Sequence, residues 1–293
     1  MENKDTHTHP IALTTDKISR IFSHMGFDTA YGPELDNEWY NFDALNVSKD
    51  HPARDMQDTF WIKDIKTKNK HNEQVGYVLR THTSNVQIRT MEKVVSDMQN
   101  KIKDLGIEND QEKVSILKEE FFPIAICCPG KVFRNEATDA THEAQFHQVE
   151  GLYVAKDATL AMMIGVLQKF LTEFFESEEE LKIRLRSSYF PFVEPGNEVD
   201  MQCFKCIGVG YIIKDAQEKS LGNRCSVCRG SGWIEIGGAG MVHPKVLENC
   251  GIDSREYRGF AFGCGMDRMA MLKWGIDDIR LLYNGDLRVI KQF

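Results

Sequence analysis

The sequence predicts an α+β fold, in which helices lie apart from an antiparallel sheet. Strands and helices are interleaved without the regular β-α-β rhythm of a parallel sheet, and two strand-like runs flank a polar loop as in a hairpin. With 293 residues, 42% of them hydrophobic, the chain can bury one large core or two modest ones. We predict one domain over residues 1–293, with a small insertion at 202–232 within it.

The first part of the chain predicts one helix and two strands. Apolar residues at helical spacing indicate an amphipathic helix over Thr14–Met25. A turn-rich, extended segment follows over Gly32–Pro52, and β-type runs are predicted at Asp58–Ile62 and Gly76–Arg80. The charged stretch Lys63–Glu73 between these runs is predicted to be a solvated loop.

Two longer amphipathic helices follow. Ser84 and Gln87 have the spacing of a capping box, and apolar residues recur from there at helical spacing until Gly106. A second helix, predicted to be capped by Asp157, carries apolar residues over Leu160–Phe174.

The sheet is predicted from runs on either side of that second helix. Three segments indicate strands: Pro123–Cys128, Lys131–Glu136 and Gln145–Ala155, the last two forming a hairpin. Apolar residues alternate over Leu181–Leu185, as in a half-buried strand. Tyr257–Gly275 indicates a strand, a glycine-rich turn and a helix.

Charge and hydropathy exclude several classes of protein. Acidic residues outnumber basic ones by 44 to 36, which argues against a protein held to nucleic acid mainly by its own basic surface. The longest apolar stretch, Ala158–Leu167, is much shorter than the ~20 residues of a membrane-spanning helix. The first ten residues are polar and lack the apolar core of a signal peptide. We therefore expect no membrane contact and a cytoplasmic location.

Four cysteines have the spacing of a metal site. The pattern Cys-x-x-Cys-x-Gly-x-Gly-aromatic-Ile occurs twice, 22 residues apart, and supplies Cys203, Cys206, Cys225 and Cys228. Two such pairs are typical of a tetrahedral zinc site, and four thiolates leave no open position for a reacting water. We predict a structural zinc ion; a chance repeat and a redox pair are the alternatives.

Two segments carry polar residues suited to nucleotide chemistry. Arg134, in FRNE with Glu136, could hold a phosphate bidentately, although such a pair is more often a surface ion pair. In FHQVEG, strand alternation puts Phe146, Gln148 and Glu150 on one face. Burying Glu150 without a partner is costly, so this face indicates a site; the alternative is an amphipathic strand with its polar face in water.

A third segment, GFAFGCGMDR, places glycines where a strand ends and a helix begins. Gly263 and Gly265 would let a ligand approach the backbone, and Arg268 would lie in the first turn of the helix. Its planar guanidinium could stack on a base or meet phosphate oxygens. Gly-x-Gly alone is more often a turn.

Together these residues resemble a known family. Arg-x-Glu, a variable loop and Gly-x-Gly-x-x-Arg are similar to motifs 2 and 3 of class II aminoacyl-tRNA synthetases. Longer strings, which cover nearly all of the chain from His9 onward, resemble the catalytic α subunit of bacterial phenylalanyl-tRNA synthetase. The strings are HPARDMQDTFW, LRTHTS, FRNEATDATHEAQFHQVEG, YFPFVEPG, GGAGMVHP and the final KQF.

The resemblance implies a class II catalytic sheet and the formation of phenylalanyl-adenylate from ATP and L-phenylalanine, followed by transfer to the terminal adenosine of tRNA(Phe). It implies that Arg134 holds the ATP α-phosphate, that His142 reaches the outer phosphates, and that Phe146 and Arg268 sandwich the adenine. Glu136 and Gly265 complete the ATP-binding set that we predict.

The resemblance also implies the amino-acid site. The substrate's ammonium and carboxylate would be fixed by polar side chains: His82, Ser84, Gln148 and Glu150. The substrate ring would be enclosed by apolar ones: Phe190, Phe192, Val193 and Ala261. The alternative for His82 and Ser84 is a turn and a helix cap, and Ser84 could serve both purposes.

The same resemblance implies metal ions and partners, and one departure from it suggests a second function. Glu194 is the family's position for magnesium and Glu235 is a weaker candidate, although each could be an ordinary ion-pair residue. The family's α subunit pairs with a β subunit, so an α2β2 heterotetramer is expected. The family's usual N-terminal coiled coil is missing, so we expect either a truncated chain or a natural short form that docks tRNA differently. The net charge of −8 predicts weak tRNA binding by this chain alone. The missing coiled coil motivates the alternative of a non-translating paralogue that binds an amino acid or adenylate as a regulator.

Overall fold

A computed structural model of the chain describes residues 7–54, 58–215 and 220–293. Asp55–Gln57 of the string HPARDMQDTFW, and residues 216–219 of the predicted insertion, lie outside the described residues. In chain order the strands are β1 (Asp28–Thr29), β2 (Leu35–Asn37), β3 (Trp61–Lys68), β4 (Gln74–Leu79), β5 (Ile124–Phe133), β6 (Gln145–Ala155), β7 (Ile183–Ser187), β8 (Val193–Gln202), β9 (Tyr211–Asp215), β10 (Ser220–Arg224), β11 (Trp233–Val242) and β12 (Arg258–Gly265).

A seven-stranded sheet in the order β1-β5-β6-β12-β11-β8-β7 organises the chain. Its neighbours pair antiparallel except β1 and β5, which are parallel. Strands β2, β4 and β3 form a small second sheet, and β9 and β10 form a hairpin in the cysteine-rich insertion. The predicted α+β class, with its antiparallel sheet, is confirmed.

Helices cover both faces of the large sheet. The α-helices are α1 (Pro10–His24), α2 (Glu38–Asn41), α3 (Ser84–Asp104), α4 (Gln111–Lys118), α5 (Leu160–Phe175), α6 (Pro244–Asn249), α7 (Met266–Trp274) and α8 (Leu287–Ile290). None of the helices in the described ranges is long and apolar enough to cross a membrane.

The core on one face is built from aromatic rings of α1, α5 and β12. The Phe22 ring lies 4.7 Å from that of Phe170 and 5.6 Å from that of Phe262, measured between centroids, and all three side chains are buried. Gly151 on β6 makes room for this packing, because a Cβ atom there would come within 2.2 Å of the Phe262 ring. The opposite face of the sheet is covered by α3, and the cavity described below lies on that side.

Several element boundaries differ from the sequence-based prediction. The runs Pro123–Cys128 and Lys131–Glu136 are one strand, β5, because Pro129 and Gly130 continue the pairing with β6. Arg134 therefore follows the end of a strand and does not lie on it.

The predicted loop Lys63–Glu73 was wrong for its first half, which belongs to β3, where charged side chains face solvent. Helix α4 was not predicted, and the turn-rich segment Gly32–Pro52 contains β2 and α2. Thr159 caps α5, in place of Asp157, through a hydrogen bond from the Met162 N–H.

Removing one ring of the aromatic core should destabilise the chain strongly. Phe170 is fully buried, so Phe170→Ala should lower the free energy of unfolding by about 3–5 kcal/mol, which urea denaturation would measure. Ile116→Ala, at a position that is 60% exposed on α4, is the control and should change it by less than about 1 kcal/mol. Equal losses in the two variants would contradict this description of the core.

Candidate active site

One cavity of about 690 Å³ lies on the α3 side of the large sheet. It is bounded by β6, β12, β11, the start of α3 and the segment around Phe190, so distant parts of the sequence meet in it. Most of the predicted site residues line this cavity: His82, Ser84, Arg134, Glu136, Phe146, Gln148, Glu150, Phe190, Phe192, Val193, Glu235, Ala261 and Gly265.

Of the residues predicted to bind substrates or magnesium, three lie outside the cavity lining. His142 is exposed in the β5–β6 loop, with its Nδ1 3.0 Å from Asp139. Glu194 is 78% exposed and lines a neighbouring hollow, with its carboxylate 3.8 Å from His243 Nε2. Arg268 is exposed at the start of α7, and its Nε donates a hydrogen bond to the backbone carbonyl of Glu235 at 3.2 Å.

Glu150 is a buried carboxylate at the centre of the site. It accepts hydrogen bonds from the Thr83 N–H at 3.0 Å, from Ser84 Oγ at 2.6 Å and from Gln87 Nε2 at 2.8 Å. Burial raises the pKa of Glu150 to about 7, against the opposing effect of the hydrogen bonds from Ser84 and Thr83 and of the charge on Arg80. The interaction holds the start of α3 against β6.

The predicted capping box is therefore wrong. Thr83 is the N-cap of α3 and its side chain makes no capping hydrogen bond. Ser84 and Gln87 use their side chains on Glu150. The two residues are three positions apart, so both lie on the side of the helix that faces β6. A capping box has the same spacing, which is why the sequence matched that pattern.

His82 and Gln148, which line the cavity, each carry a buried hydrogen-bond acceptor. His82 Nε2 lies 3.0 Å from the Asn41 carbonyl oxygen, which can only accept, so Nε2 carries the proton and Nδ1 is an acceptor. Burial, with the nearby Arg134, lowers the pKa of His82 to about 4, so the ring is neutral at pH 7. The Nδ1 atom and Gln148 Oε1 are buried and have no hydrogen-bond partner within the described ranges.

Such unpaired acceptors at a cavity indicate a ligand that donates hydrogen bonds, because buried polar atoms are nearly always paired. A ligand ammonium group matches them, since it has three donors and no acceptor. The carboxyl group of Glu150, whose pKa is near neutral, would supply the opposite charge close by.

The other end of the cavity is apolar and aromatic. The rings of Phe190 and Phe192 stack with centroids 5.9 Å apart. Gly238 lies against the first of these rings, and a Cβ atom there would come within 3.1 Å of it. Met91 and Leu152 complete this end, which suits an uncharged ring or branched aliphatic group.

Arg134 places a positive charge on the wall of the cavity. Its guanidinium carbon lies 5.1 Å from the centroid of the Phe146 ring, and its Nε donates to the Thr81 carbonyl at 3.3 Å. Gly263 stands opposite Glu150 in the β6–β12 pairing, and a Cβ atom there would come within 3.1 Å of Gln148 Nε2. The cavity thus combines a cation, a half-buried aromatic ring and backbone that a ligand can approach.

Carboxylates beside the cavity could hold a divalent cation, for which oxygen ligands are preferred. Glu235 and Glu198 both line it, and both carboxylates contact Arg186, at 2.8 and 2.7 Å. Sequence reasoning missed Glu198. The available signal was the alternation of Glu198 and Asp200 along β8.

The four predicted cysteines form one cluster at the base of the insertion. Their sulfur atoms all lie within 4.8 Å of one another, with Cys203 and Cys225 3.9 Å apart and Cys206 and Cys228 3.6 Å apart. Tetrahedral zinc at ~2.3 Å from each sulfur requires separations of ~3.8 Å. The donor set therefore fits a metal ion. Backbone N–H groups, one in each repeat, donate to sulfur: Gly210 to Cys206, and Gly232 to Cys228.

Comparison with known proteins identifies close relatives over nearly the whole chain. The family model of the class II core domain of tRNA synthetases (F) matches residues 1–293. The phenylalanine–tRNA ligase alpha subunit of Aquifex aeolicus is 47% identical over 285 residues, which are 97% of this chain and 69% of the relative. That of Bacillus cytotoxicus is 45% identical over 97% of this chain and 68% of the relative.

A solved structure shows the same fold. The pyrrolysyl-tRNA synthetase of Desulfitobacterium hafniense superposes with a TM-score of 0.56 over 94% of this chain and 74% of its own, at 15% sequence identity.

The raised pKa of Glu150 predicts how pH changes stability. Between pH 4.5 and 7 the folded carboxyl keeps a proton that the unfolded one releases, so its contribution to the free energy of unfolding falls as pH rises. The free energy of the wild type minus that of Glu150→Gln, which cannot titrate, should fall by about 1–3 kcal/mol from pH 5 to 7.5. Urea denaturation at both values tests this; a difference that is constant or rises would contradict it.

Proposed function

Because the chain belongs to the class II tRNA synthetase family, among the phenylalanine–tRNA ligase alpha subunits, we propose that it activates L-phenylalanine with ATP and transfers it to tRNA(Phe). One observation carries the proposal: the segments around His82, Arg134, Phe146 and Phe190 all contribute to one cavity. That cavity has an apolar aromatic end, buried acceptors and a cation, which are the features that phenylalanine and ATP together require.

We propose that the amino acid binds with its ring against Phe190 and Phe192. Val193 and Ala261 would line the sides of this pocket. The ammonium would donate to His82 Nδ1 and to Gln148 Oε1, which supply the acceptors that a solvent-excluded ammonium needs. Ser84 and Glu150 would complete the polar end.

ATP would bind with its adenine on Phe146 and its α-phosphate at Arg134. An oxygen of the amino-acid carboxylate attacks the α-phosphorus, the bond from that phosphorus to the bridging oxygen breaks, and pyrophosphate leaves with the bond's electrons. The carboxylate is ionised at pH 7, so no general base is required. The protein's task is to align the reactants and neutralise developing charge.

The remaining nucleotide residues are proposed to engage when ATP is bound. Arg268 would exchange its contact with the Glu235 carbonyl for the second face of the adenine. His142 would contact the outer phosphates from the β5–β6 loop. Glu136 and Gly265, which already line the cavity, would contact the nucleotide directly.

Magnesium is the proposed metal for the triphosphate, where it would neutralise charge on the phosphate oxygens. Glu235 is the proposed ligand inside the cavity, and the neighbouring Glu198 adds a second carboxylate. Glu194 is proposed as a magnesium ligand in the adjoining hollow, where its exposed carboxylate could bind an ion together with groups from outside this chain.

The second step is proposed to need a partner. The net charge of −8 disfavours binding of a polyanionic tRNA by this chain alone, so a β subunit, in an α2β2 assembly in the cytoplasm, is proposed to supply much of the RNA-binding surface. Residues 1–293 would form the catalytic domain of that assembly.

Activity with phenylalanine tests the proposal directly. In ATP–pyrophosphate exchange, with the β subunit co-purified, the wild type should respond to phenylalanine. Arg134→Met should lower kcat about 100-fold to 1,000-fold because charge at the α-phosphate is no longer neutralised. Arg255→Met, at an arginine 89% exposed, is the control and should retain wild-type exchange. Phenylalanine binding without any exchange would instead support the regulatory paralogue.

We further propose that the cluster of Cys203, Cys206, Cys225 and Cys228 holds structural zinc within the insertion 202–232. Purified chain should contain about one zinc per molecule by plasma mass spectrometry, because four thiolates saturate a tetrahedral ion. Cys225→Ser should lose the zinc and lower the melting temperature. Cys250→Ser, at a buried cysteine outside the cluster, should keep the zinc. Wild-type protein without bound metal after purification in zinc-containing buffer would contradict the proposal.

A further inference from the structure

A closed ring of hydrogen bonds lies behind the nucleotide end of the cavity. The Asp267 carboxylate accepts the backbone N–H of His147 at 2.5 Å and also accepts the hydroxyl of Tyr283. The Tyr283 oxygen lies 2.9 Å from His147 Nδ1, and the two rings are nearly parallel, with centroids 6.2 Å apart. Three residues from β6, α7 and the C-terminal segment are thereby joined.

The proton positions in this closed set of hydrogen bonds follow from counting donors. Burial with Lys131 nearby lowers the pKa of His147 to about 4, so its ring is neutral at pH 7. The single hydroxyl proton of Tyr283 is used on Asp267, so His147 Nδ1 must carry a proton and donate it to the Tyr283 oxygen. The Tyr283 hydroxyl thus bonds to both other residues, and the Asp267 carboxylate is bound by that hydroxyl and by the His147 backbone N–H.

The Asp267 side chain supplies a hydrogen-bond acceptor to β6 beyond the end of β12. The pairing of β12 with β6 ends at Gly265 opposite Gln148, where the chain turns into α7. The next N–H of β6, that of His147, is bound by the Asp267 carboxylate in place of a backbone carbonyl. This side chain, only 2% exposed, therefore fixes where α7 begins relative to β6.

The residues fixed in this way flank the proposed nucleotide site. Phe146 and Gln148 lie on either side of His147 and line the catalytic cavity, while Arg268 follows Asp267. His147 and Tyr283 line a separate hollow and are absent from the cavity lining. The Ile279 N–H also donates to the Ala140 carbonyl, so the same C-terminal segment supports the β5–β6 loop.

We propose that Tyr283, acting through Asp267, is a positioning residue for ATP. Its hydroxyl keeps the Asp267 carboxylate aimed at the His147 N–H, and this fixes the backbone of β6 at Phe146 relative to the start of α7, which carries Arg268. The amino-acid end of the cavity is held independently by Glu150 and α3. Loss of the hydroxyl should therefore affect the nucleotide and spare phenylalanine. This inference rests on the proposed function.

Tyr283→Phe is the direct test, because it removes the hydroxyl and keeps the ring. In pyrophosphate exchange with the full chain and its co-purified large subunit, the KM for ATP should rise about tenfold, since the buried Asp267 and the half-buried His147 each lose a hydrogen-bond partner. The KM for phenylalanine should stay within about twofold of the wild-type value. Asp267→Asn, which still offers an oxygen to the His147 N–H, should have a smaller effect on the KM for ATP.

Tyr153→Phe is the matched control. Tyr153 is also in β6 but stacks on Phe260, away from the ring of hydrogen bonds, so both KM values should be unchanged. Unchanged KM values in Tyr283→Phe, with or without a lower melting temperature, would overturn the inference, as would a parallel rise in both. If the wild type shows no exchange, the proposed function fails. Calorimetric titration with ATP then tests Tyr283 separately, with weaker binding by Tyr283→Phe expected and equal binding contradicting the inference.

Discussion

The buried carboxylate of Glu150 is the constraint on which the site depends. A carboxylate removed from water must be surrounded by donors, and here all of them come from a single turn of chain at the start of α3. That requirement fixes α3 against β6. It also places His82, two residues before Ser84, on the wall of the cavity that faces the residues of β6. The placement of the polar side chains at the start of α3 relative to β6 follows from this one interaction.

The cavity separates two kinds of chemistry. Its apolar end, with Phe190 and Phe192, can exclude water from a ring, whereas its polar end has neutral acceptors and a carboxyl group that exchanges its proton near neutral pH. Arg134 lies over the ring of Phe146, another of the predicted nucleotide residues. No nucleophile with an adjacent base is required for this chemistry, because the attacking group belongs to the substrate.

Sequence reasoning predicted the fold class and most of the cavity lining, because strand alternation in FHQVEG and the order of the family strings are local signals. It could not predict the partners of Glu150, since the spacing of Ser84 and Gln87 fits a helix cap equally well. Glu198 was missed because its position beside the cavity depends on how β8 pairs with β11. The contact between Asp267 and Tyr283 joins segments with no shared motif, so only the folded chain shows it.

A crystal structure with a non-hydrolysable phenylalanyl-adenylate analogue would show directly which part of the cavity binds each group of the reaction intermediate. We expect the phenyl ring beside Phe190 and Phe192, the ammonium at His82 Nδ1 and Gln148 Oε1, and the adenine on Phe146. An analogue bound with its ring at Arg134, or outside this cavity altogether, would contradict the account.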